Sequence, residues 1–235
     1  MRCVTRVFAA AVLVIAPCVL LGQSAAVPYG PDTGDPGQTF SSQLLSHLYS
    51  GNYSSIRKVN FRDFRLLDFD KSGKPVEGFS LQNGHYQHDK PGDHQTIDLE
   101  AVHYLTNADS RTGESALLLL SWFAAGGSSS QGGKADIFSV SSGRLQIIQE
   151  IDWETHSLGK QPAESFDTQT NNLVIRADHY MPGDAHCCIS AVDVVTFHWD
   201  GTHFVQVDLH TELSEHGSIF QQIRHGVPAN QLALV

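Results

Sequence analysis

The sequence predicts a mainly β protein, α+β at most, with about eight mostly antiparallel strands and one short N-terminal helix. Short runs in which apolar and polar residues alternate are separated by turns rich in Gly, Asp and Ser. Only one stretch, near the start of the predicted domain, places its apolar residues at helical spacing. Because no segment repeats at a fixed period, we expect a single domain rather than a solenoid.

The first 38 residues are predicted to lie outside this domain. Residues 1–26 start with Arg2 and Arg6, continue as an interrupted apolar run and end in small residues, which is typical of a secretory signal peptide. Residues 27–38 are rich in Pro, Gly and Asp, so we interpret them as a flexible leader. We expect an exported protein, periplasmic or extracellular, with no transmembrane span after the signal is removed.

Residues 39–210 supply the predicted β-rich domain, and residues 211–235 are interpreted as a C-terminal tail or short helix. The domain is predicted to begin with an amphipathic helix over residues 39–49, which ends near Gly51. The apolar residues at helical spacing there are Phe40, Leu44, Leu45 and Leu48.

Strands are predicted where apolar alternation follows. The predicted strand runs are "KVNFRDFRLLDF", "TIDLEAVHYL", "SALLLLSWFAA", "ADIFSV", "RLQIIQEI" and "NNLVIRADHY". The uninterrupted run "SALLLLSWFAA" indicates a central strand that is covered on both faces. The short "SSG" between "ADIFSV" and "RLQIIQEI" indicates a hairpin.

A further hairpin is predicted at Asp200-Gly201, which lies between two runs rich in β-branched and aromatic residues. This dipeptide is a strong signal for a two-residue turn. Such a turn pairs Phe197 with Phe204, and the two-residue period of strands then places Val195 on the same face as both rings.

Two acidic loops resemble calcium-binding loops only in part. Asp68 and Asp70 stand at the first and third positions of an EF-hand loop, but Phe79 occupies the position of its bidentate glutamate. In the loop that contains Asp109 and Glu114, the opposite charge of an arginine stands where another oxygen ligand is needed. We interpret both loops as turns and expect no calcium.

A histidine-rich stretch over residues 85–94 offers ligand types that zinc and copper bind. Its candidate ligands are His85, His88, Asp89, Asp93 and His94. Pro91-Gly92 indicates a turn, and no H-x-x-x-H spacing aligns two imidazoles on a helix. We therefore interpret the stretch as a solvated polar loop.

Known catalytic motifs are missing from the sequence. It contains neither a G-x-S-x-G nucleophile elbow nor an H-E-x-x-H zinc helix. Residues 125–133, "AGGSSSQGG", lack the Lys-Ser/Thr ending of a phosphate-binding loop and are interpreted as a flexible hairpin loop. The formal net charge of −10 disfavours nucleic acid as a partner. We expect no catalysis.

The adjacent pair Cys187 and Cys188 carries the only cysteines that remain after signal removal. In an oxidising compartment they can form a vicinal disulfide or stay as buried free thiols. A metal or redox site is the other alternative, with zinc or copper as the metal. Its candidate ligands are His179, His186, Cys187, Cys188 and His198.

The segment from about residue 97 to 208 resembles a group of small exported bacterial proteins, the LppP/LprE-type lipoproteins of actinobacteria and related secreted domains. The shared pattern is a Gly/Ser-rich loop after a hydrophobic strand, the Cys187-Cys188 pair, and a strand that ends in Trp199-Asp200-Gly201. The resemblance implies an exported β-rich domain and assigns no catalytic residues.

These observations lead us to expect an exported, non-catalytic β domain that binds a protein or a small-molecule ligand, or associates with the cell envelope. No catalytic or cofactor-binding residue is predicted under this interpretation. A metal-binding or redox protein that uses the cysteine pair is one alternative. A hydrolase with a non-standard Ser or His/Asp site is another.

Overall fold

A computed structural model describes residues 39–108, 113–125, 129–155, 164–181, 184 and 189–214. Its strands, all paired antiparallel, confirm the mainly β class. The strands are β1 (Phe40–Leu44), β2 (Arg65–Phe69), β3 (Pro75–Ser80), β4 (His85–Lys90), β5 (Asp93–Thr106), β6 (Glu114–Ala125), β7 (Ser129–Ser141), β8 (Arg144–Glu154), β9 (Glu164–Asp167), β10 (Asn172–His179), β11 (Ala191–Trp199) and β12 (Phe204–Leu213). Two short 3-10 helices are η1 (Ile56–Lys58) and η2 (Phe61–Asp63). No helix in these ranges is both long and apolar enough to span a membrane.

The central layer is a six-stranded sheet with the strand order β1-β8-β7-β6-β5-β4. Strand β6 lies in its interior, between β5 and β7, and carries the apolar run of the sequence. Leu117 and Leu118 point to opposite faces and are both fully buried. The prediction of a central strand covered on both faces is therefore confirmed.

One face of the central sheet packs against a four-stranded sheet with the order β12-β11-β10-β9. The two sheets share one core, as expected for sheets that each bury an apolar face. The central sheet contributes Leu105, Leu117, Leu119, Ala135, Ile137, Ile151 and Trp153, and the second sheet contributes Leu173, Ile175, Ala177, Val195, Phe197, Trp199 and Phe204.

The opposite face is covered by residues 45–81, which include both 3-10 helices and the β2–β3 hairpin. This segment buries Leu45, Tyr49, Ile56, Val59, Phe61, Leu66, Phe79 and Leu81 against β5 to β8. The central sheet is thus the middle of three layers.

The predicted helix over residues 39–49 is wrong, because Phe40–Leu44 forms an edge strand. It pairs with β8 in the register Phe40↔Trp153, and it leaves Leu44 64% exposed rather than buried on a helical stripe. A short isolated helix is marginal in water, whereas the edge of β8 offers backbone partners to every other residue of the segment. Tertiary pairing thus overrides the helical spacing.

The predicted two-residue turn at Asp200-Gly201 is also wrong, since residues 200–203 form a four-residue connection and Phe204 pairs with Trp199. The Asp200 carboxylate accepts hydrogen bonds from the Thr202 amide at 2.7 Å and from the His203 amide. This side chain closes the wider turn. The shared burial of Val195, Phe197 and Phe204 is as expected.

Two stretches interpreted as loops form strands. Residues 85–94 make up β4, the turn at Pro91-Gly92 and the start of β5, so the histidines of this stretch lie on a hairpin. Most of residues 125–133 belong to the ends of β6 and β7. By contrast, the loop after β2 is a turn as interpreted, because Asp70 accepts hydrogen bonds from the amides of Ser72 and Lys74.

Candidate functional site

A block of charged side chains lies on the face of β7 and β8 that the β2–β3 hairpin covers. Lys134 pairs across the strands with Asp152, and Asp136 pairs with Glu150. The register shift in β8 lies just before these residues and turns Glu150 and Asp152 to the same face as Lys134. We call Asp68, Lys134, Asp136, Glu150 and Asp152 the Lys134 cluster.

The ammonium of Lys134 is the centre of this cluster. Its Nζ lies 2.6 Å from Glu150 Oε2, 2.9 Å from Asp68 Oδ1 and 3.8 Å from Asp136 Oδ1. Lys134 and Glu150 are buried, whereas the Asp68 side chain is 45% exposed and reaches in from β2. One cation therefore serves several carboxylates, only one of which faces solvent substantially.

Asp136 is the least compensated member of the cluster. Its side chain is fully buried, and neither of its carboxylate oxygens has a hydrogen-bond partner among the described residues. Burial raises its pKa well above the usual aspartate value, and the attraction of Lys134 opposes that rise.

Asp152 also has a pKa above the usual aspartate value. Burial raises the pKa of Asp152 to about 7, while Lys134 acts in the opposite direction and Glu150 and Asp68 add repulsion. Burial by itself lowers the pKa of Lys134, but the surrounding carboxylates outweigh it and raise that pKa well above the usual lysine value. The cluster thus exchanges protons near neutral pH while Lys134 stays charged.

A cavity of about 260 Å³ opens onto the cluster. We call it the Trp122 cavity; it is lined by Asp68, Phe79, Gln95, Ile97, Leu120, Trp122, Ala124, Lys134 and Asp152. Its lining combines apolar and aromatic side chains with the charged groups of Asp68, Lys134 and Asp152. This combination is typical of small-molecule sites, although the volume is slightly below that of drug-sized pockets.

The position of Trp122 depends on a glycine in the opposite strand. Trp122 pairs with Gly132, and a Cβ atom at Gly132 would lie 2.5 Å from the indole Cζ2. The neighbouring Gly133 leaves the same kind of space on the other face, where a Cβ would lie 2.1 Å from Trp153 Cζ2. These glycines are packing positions for two tryptophans rather than parts of a flexible loop.

A second constellation lies at the end of β10, β11 and β12. His179 Nδ1 lies 3.0 Å from Asp193 Oδ2, and Thr211 Oγ1 donates a 2.7 Å hydrogen bond to Asp193 Oδ1. Asp193 is 1% exposed, whereas the His179 side chain is partly accessible. A buried carboxylate that fixes one imidazole nitrogen leaves the other nitrogen available for proton transfer.

The metal set suggested by the sequence is only partly described. His186, Cys187 and Cys188 lie outside the described residues. His198 hydrogen-bonds to Asn172 at the far end of the β10–β11 ladder. That end is roughly 23 Å from His179 at the usual rise per strand residue, so the structure does not bring these two histidines together.

The histidines of the β4–β5 hairpin form separate pairs with carboxylates instead of converging. The ring of His85 lies 2.7 Å from Asp98, whereas His88 approaches Asp93 and His94 approaches Asp89 at longer distances. The part of the chain that the structure describes contains no group of three His, Cys, Asp or Glu residues arranged to hold a metal ion.

The sequence analysis missed the Lys134 cluster, although a signal for it was present. Charged residues stand two apart in otherwise apolar strands: Lys134 and Asp136 in "GGKADIF", and Glu150 and Asp152 in "QEIDWE". Residues two apart share a strand face, so each pair places two charges on one side of a buried strand. A buried charge is rare enough to indicate a site.

Comparison with known proteins does not identify a function for this site. No protein-family model, curated protein or solved structure matches the chain. The resemblance to LppP/LprE-type proteins stays a prediction, and function is inferred from the site itself.

Proposed function

We propose that this chain is an exported, non-catalytic binding module whose Trp122 cavity takes a small-molecule ligand. The observation that carries the proposal is the junction of aromatic walls with a buried, incompletely compensated charge cluster. Apolar walls supply binding energy, and a few converging polar groups supply orientation and specificity.

The cost of the cluster supports a functional use. Each buried ion loses several kcal/mol of hydration, and apolar residues of similar size are often at least as stabilising as a buried ion pair. Lys134, Asp136 and Glu150 are all less than a tenth exposed. Their burial beside a cavity is therefore better explained by ligand recognition than by stability of the fold.

A cavity-filling variant tests this proposal. Ala124 lines the Trp122 cavity, and the neighbouring Ala125 points to the opposite face of β6. We expect ligand-detected NMR on a panel of small amines, carboxylic acids, sugars and neutral aromatics to find a binder. Ala124→Phe should abolish that binding, and the matched control Ala125→Phe should retain it. If no compound binds, or if binding survives in Ala124→Phe, the proposal is wrong.

A hydrolase is a second candidate, and the His179–Asp193–Thr211 arrangement favours it. With Nδ1–H directed at Asp193, the Nε2 atom of His179 can accept a proton from water or from a nucleophilic hydroxyl. Hydrolysis of an ester, glycoside or peptide by the wild-type protein, lost in His179→Ala, would support this candidate. Equal rates in both proteins would remove it.

A metal or redox site at the cysteine pair is a third candidate. Its support is the position of His179, which ends β10 and pairs with Ala191 across the connection that carries Cys187 and Cys188. Metal analysis of untagged protein and a thiol count under denaturing conditions test it. Stoichiometric zinc or copper with two free thiols supports the metal site, whereas no thiols and no metal support a vicinal disulfide.

A further inference from the structure

We propose that the ligand of the Trp122 cavity is a small organic cation, with an ammonium group at the Lys134 cluster and an apolar body against Trp122 and Phe79. This inference rests on the proposed function, because it assigns a ligand class to the same cavity. It follows from the charge balance of the cluster, from the isolation of Asp136 and from the nature of the walls.

The charge balance favours a positive ligand. Lys134 is the single cation of the cluster, and four carboxylates surround it: Asp68, Asp136, Glu150 and Asp152. Even when two of these carboxyl groups are protonated, the cluster has no net positive charge. An anionic ligand is therefore repelled, and a neutral ligand leaves the excess negative charge unpaired.

Asp136 provides an independent indication that the single cation of the cluster is shared among too many carboxyl groups. Its fully buried carboxylate lies 3.8 Å from Lys134 Nζ, beyond hydrogen-bonding distance, because the ammonium is drawn towards Asp68 and Glu150. An ammonium ligand that pairs with Asp68 at the cavity releases Lys134 towards Asp136. Lys134 thereby becomes a hydrogen-bond donor to a carboxyl group that has no hydrogen-bond partner among the described residues.

The walls favour an organic cation over a metal ion. Apolar and aromatic side chains line the cavity beside Asp68, Lys134 and Asp152: Phe79, Ile97, Leu120 and Trp122. Calcium and magnesium need oxygen ligands or retained waters on most sides, and the described residues contain no group of three His, Cys, Asp or Glu side chains arranged to hold a metal ion. An alkylammonium with an apolar body instead gains from apolar burial and from the face of an aromatic ring.

Proton exchange gives this binding mode a distinctive pH dependence. Asp152, on β8, faces Lys134 and Asp136 of β7, Glu150 of its own strand and Asp68 of β2. The Tyr49 hydroxyl also approaches the cluster. A bound cation favours the ionised form of Asp152, so binding expels a proton below neutral pH. With the Asp152 pKa at about 7, affinity should rise about tenfold from roughly pH 6 to pH 8.

Isothermal titration calorimetry with three matched probes tests the inference. The probes are 2-phenylethylammonium, the neutral 2-phenylethanol and the anionic 3-phenylpropanoate. We expect the ammonium to bind at least about tenfold more tightly than the alcohol, because a charge-assisted hydrogen bond contributes about that factor. Asp152→Asn should weaken the ammonium about tenfold, whereas the control Asp208→Asn, on the exposed strand β12, should leave it unchanged.

The outcomes separate the ligand class from the proposed function. If the alcohol or the carboxylate binds more tightly than the ammonium, and Ala124→Phe abolishes that binding, the inference is overturned and the binding function stands. If calcium or zinc binds at the cluster and Asp152→Asn abolishes it, the inference is likewise overturned. If none of the three probes binds folded wild-type protein, the inference is overturned, and the binding function fails as well only if no compound of the wider panel binds. Circular dichroism verifies that each variant is folded.

Discussion

At the scale of single residues, two adjacent glycines decide where two tryptophans lie. Strand side chains alternate between faces, so the spaces left by Gly132 and Gly133 open on opposite sides of the central sheet. One space admits Trp122, at the cavity, and the other admits Trp153, in the core between the two larger sheets. The cavity and the core therefore depend on the same short stretch.

We expect Gly133→Ala to lower the free energy of unfolding by about 1–3 kcal/mol, the usual cost of overpacking. The added Cβ would lie 2.1 Å from a ring atom of Trp153, which is only 1% exposed and packs in the core. Urea denaturation measures the change, with Ser130→Ala on the same strand as the control. Equal stability of the two variants would show that Trp153 repacks without cost.

The raised pKa of Asp152 predicts a pH-dependent effect of Asp152→Asn. The folded state holds the Asp152 proton more tightly than the unfolded state does. The free energy of unfolding of the wild type therefore falls, relative to that of the variant, as the pH rises from about 4 to about 7. We expect a relative change of up to about 4 kcal/mol, since the Asp152 pKa rises from 3.8 to about 7 and one pKa unit corresponds to about 1.4 kcal/mol. Urea denaturation as a function of pH tests this, and a pH-independent difference contradicts it.

At the scale of elements, Gln149 connects the central sheet to the second sheet. Its side-chain amide donates to the Phe204 carbonyl at 2.8 Å and accepts from the Phe204 amide at 2.7 Å, so it replaces a missing strand partner at the start of β12. The side chain is 2% exposed. The second sheet is thus held by a polar connection as well as by apolar packing.

Gln149→Leu should therefore destabilise the protein by about 2–4 kcal/mol, because the amide and the carbonyl of Phe204 both lose a buried partner. Gln146→Leu, on the same strand, is the control and should change the free energy of unfolding much less. Chemical denaturation followed by tryptophan fluorescence provides the comparison. A variant as stable as the control would mean that water or another group takes over both bonds.

The predictions from the sequence succeeded for elements whose burial dictates their pattern. The apolar run of β6 and the shared face of Val195, Phe197 and Phe204 follow from burial alone. The predictions from the sequence failed where contacts that local spacing does not encode determine the structure. Examples are the edge strand at Phe40–Leu44 and the turn that Asp200 closes with its side chain. Local spacing carries no information about such partners.

The same dependence on distant partners explains why the sequence analysis missed the Lys134 cluster. The sequence analysis directed attention to histidines and cysteines, whereas the charges of the Lys134 cluster are brought together by the pairing of β7 with β8 and by Asp68 from a third strand. Alternating charges in buried strands indicate two members of such a cluster at a time. They do not reveal that Asp68 completes it or that Trp122 encloses a cavity beside it.

At the scale of the whole molecule, the three layers predict a gradient of local stability. Strand β6 has neighbours on both sides and covered faces, whereas all residues of β12 after Phe204 are exposed. We expect hydrogen exchange of the amides at residues 117–120 to require global unfolding. Exchange along residues 205–213 should be at least about tenfold faster, because edge strands open locally. Equal protection of the two strands contradicts this layered description.

The most direct test of the central claim is an amide and indole chemical-shift map of ¹⁵N-labelled wild-type protein titrated with 2-phenylethylammonium. We expect saturable shifts at the Trp122 indole N–H and at the backbone amides of Phe79, Leu120 and Lys134, all of which line the cavity. Saturable shifts confined to β12 or to the His179 end of β10, or no saturable shifts at all, would contradict the assignment of the Trp122 cavity as a cation-binding site.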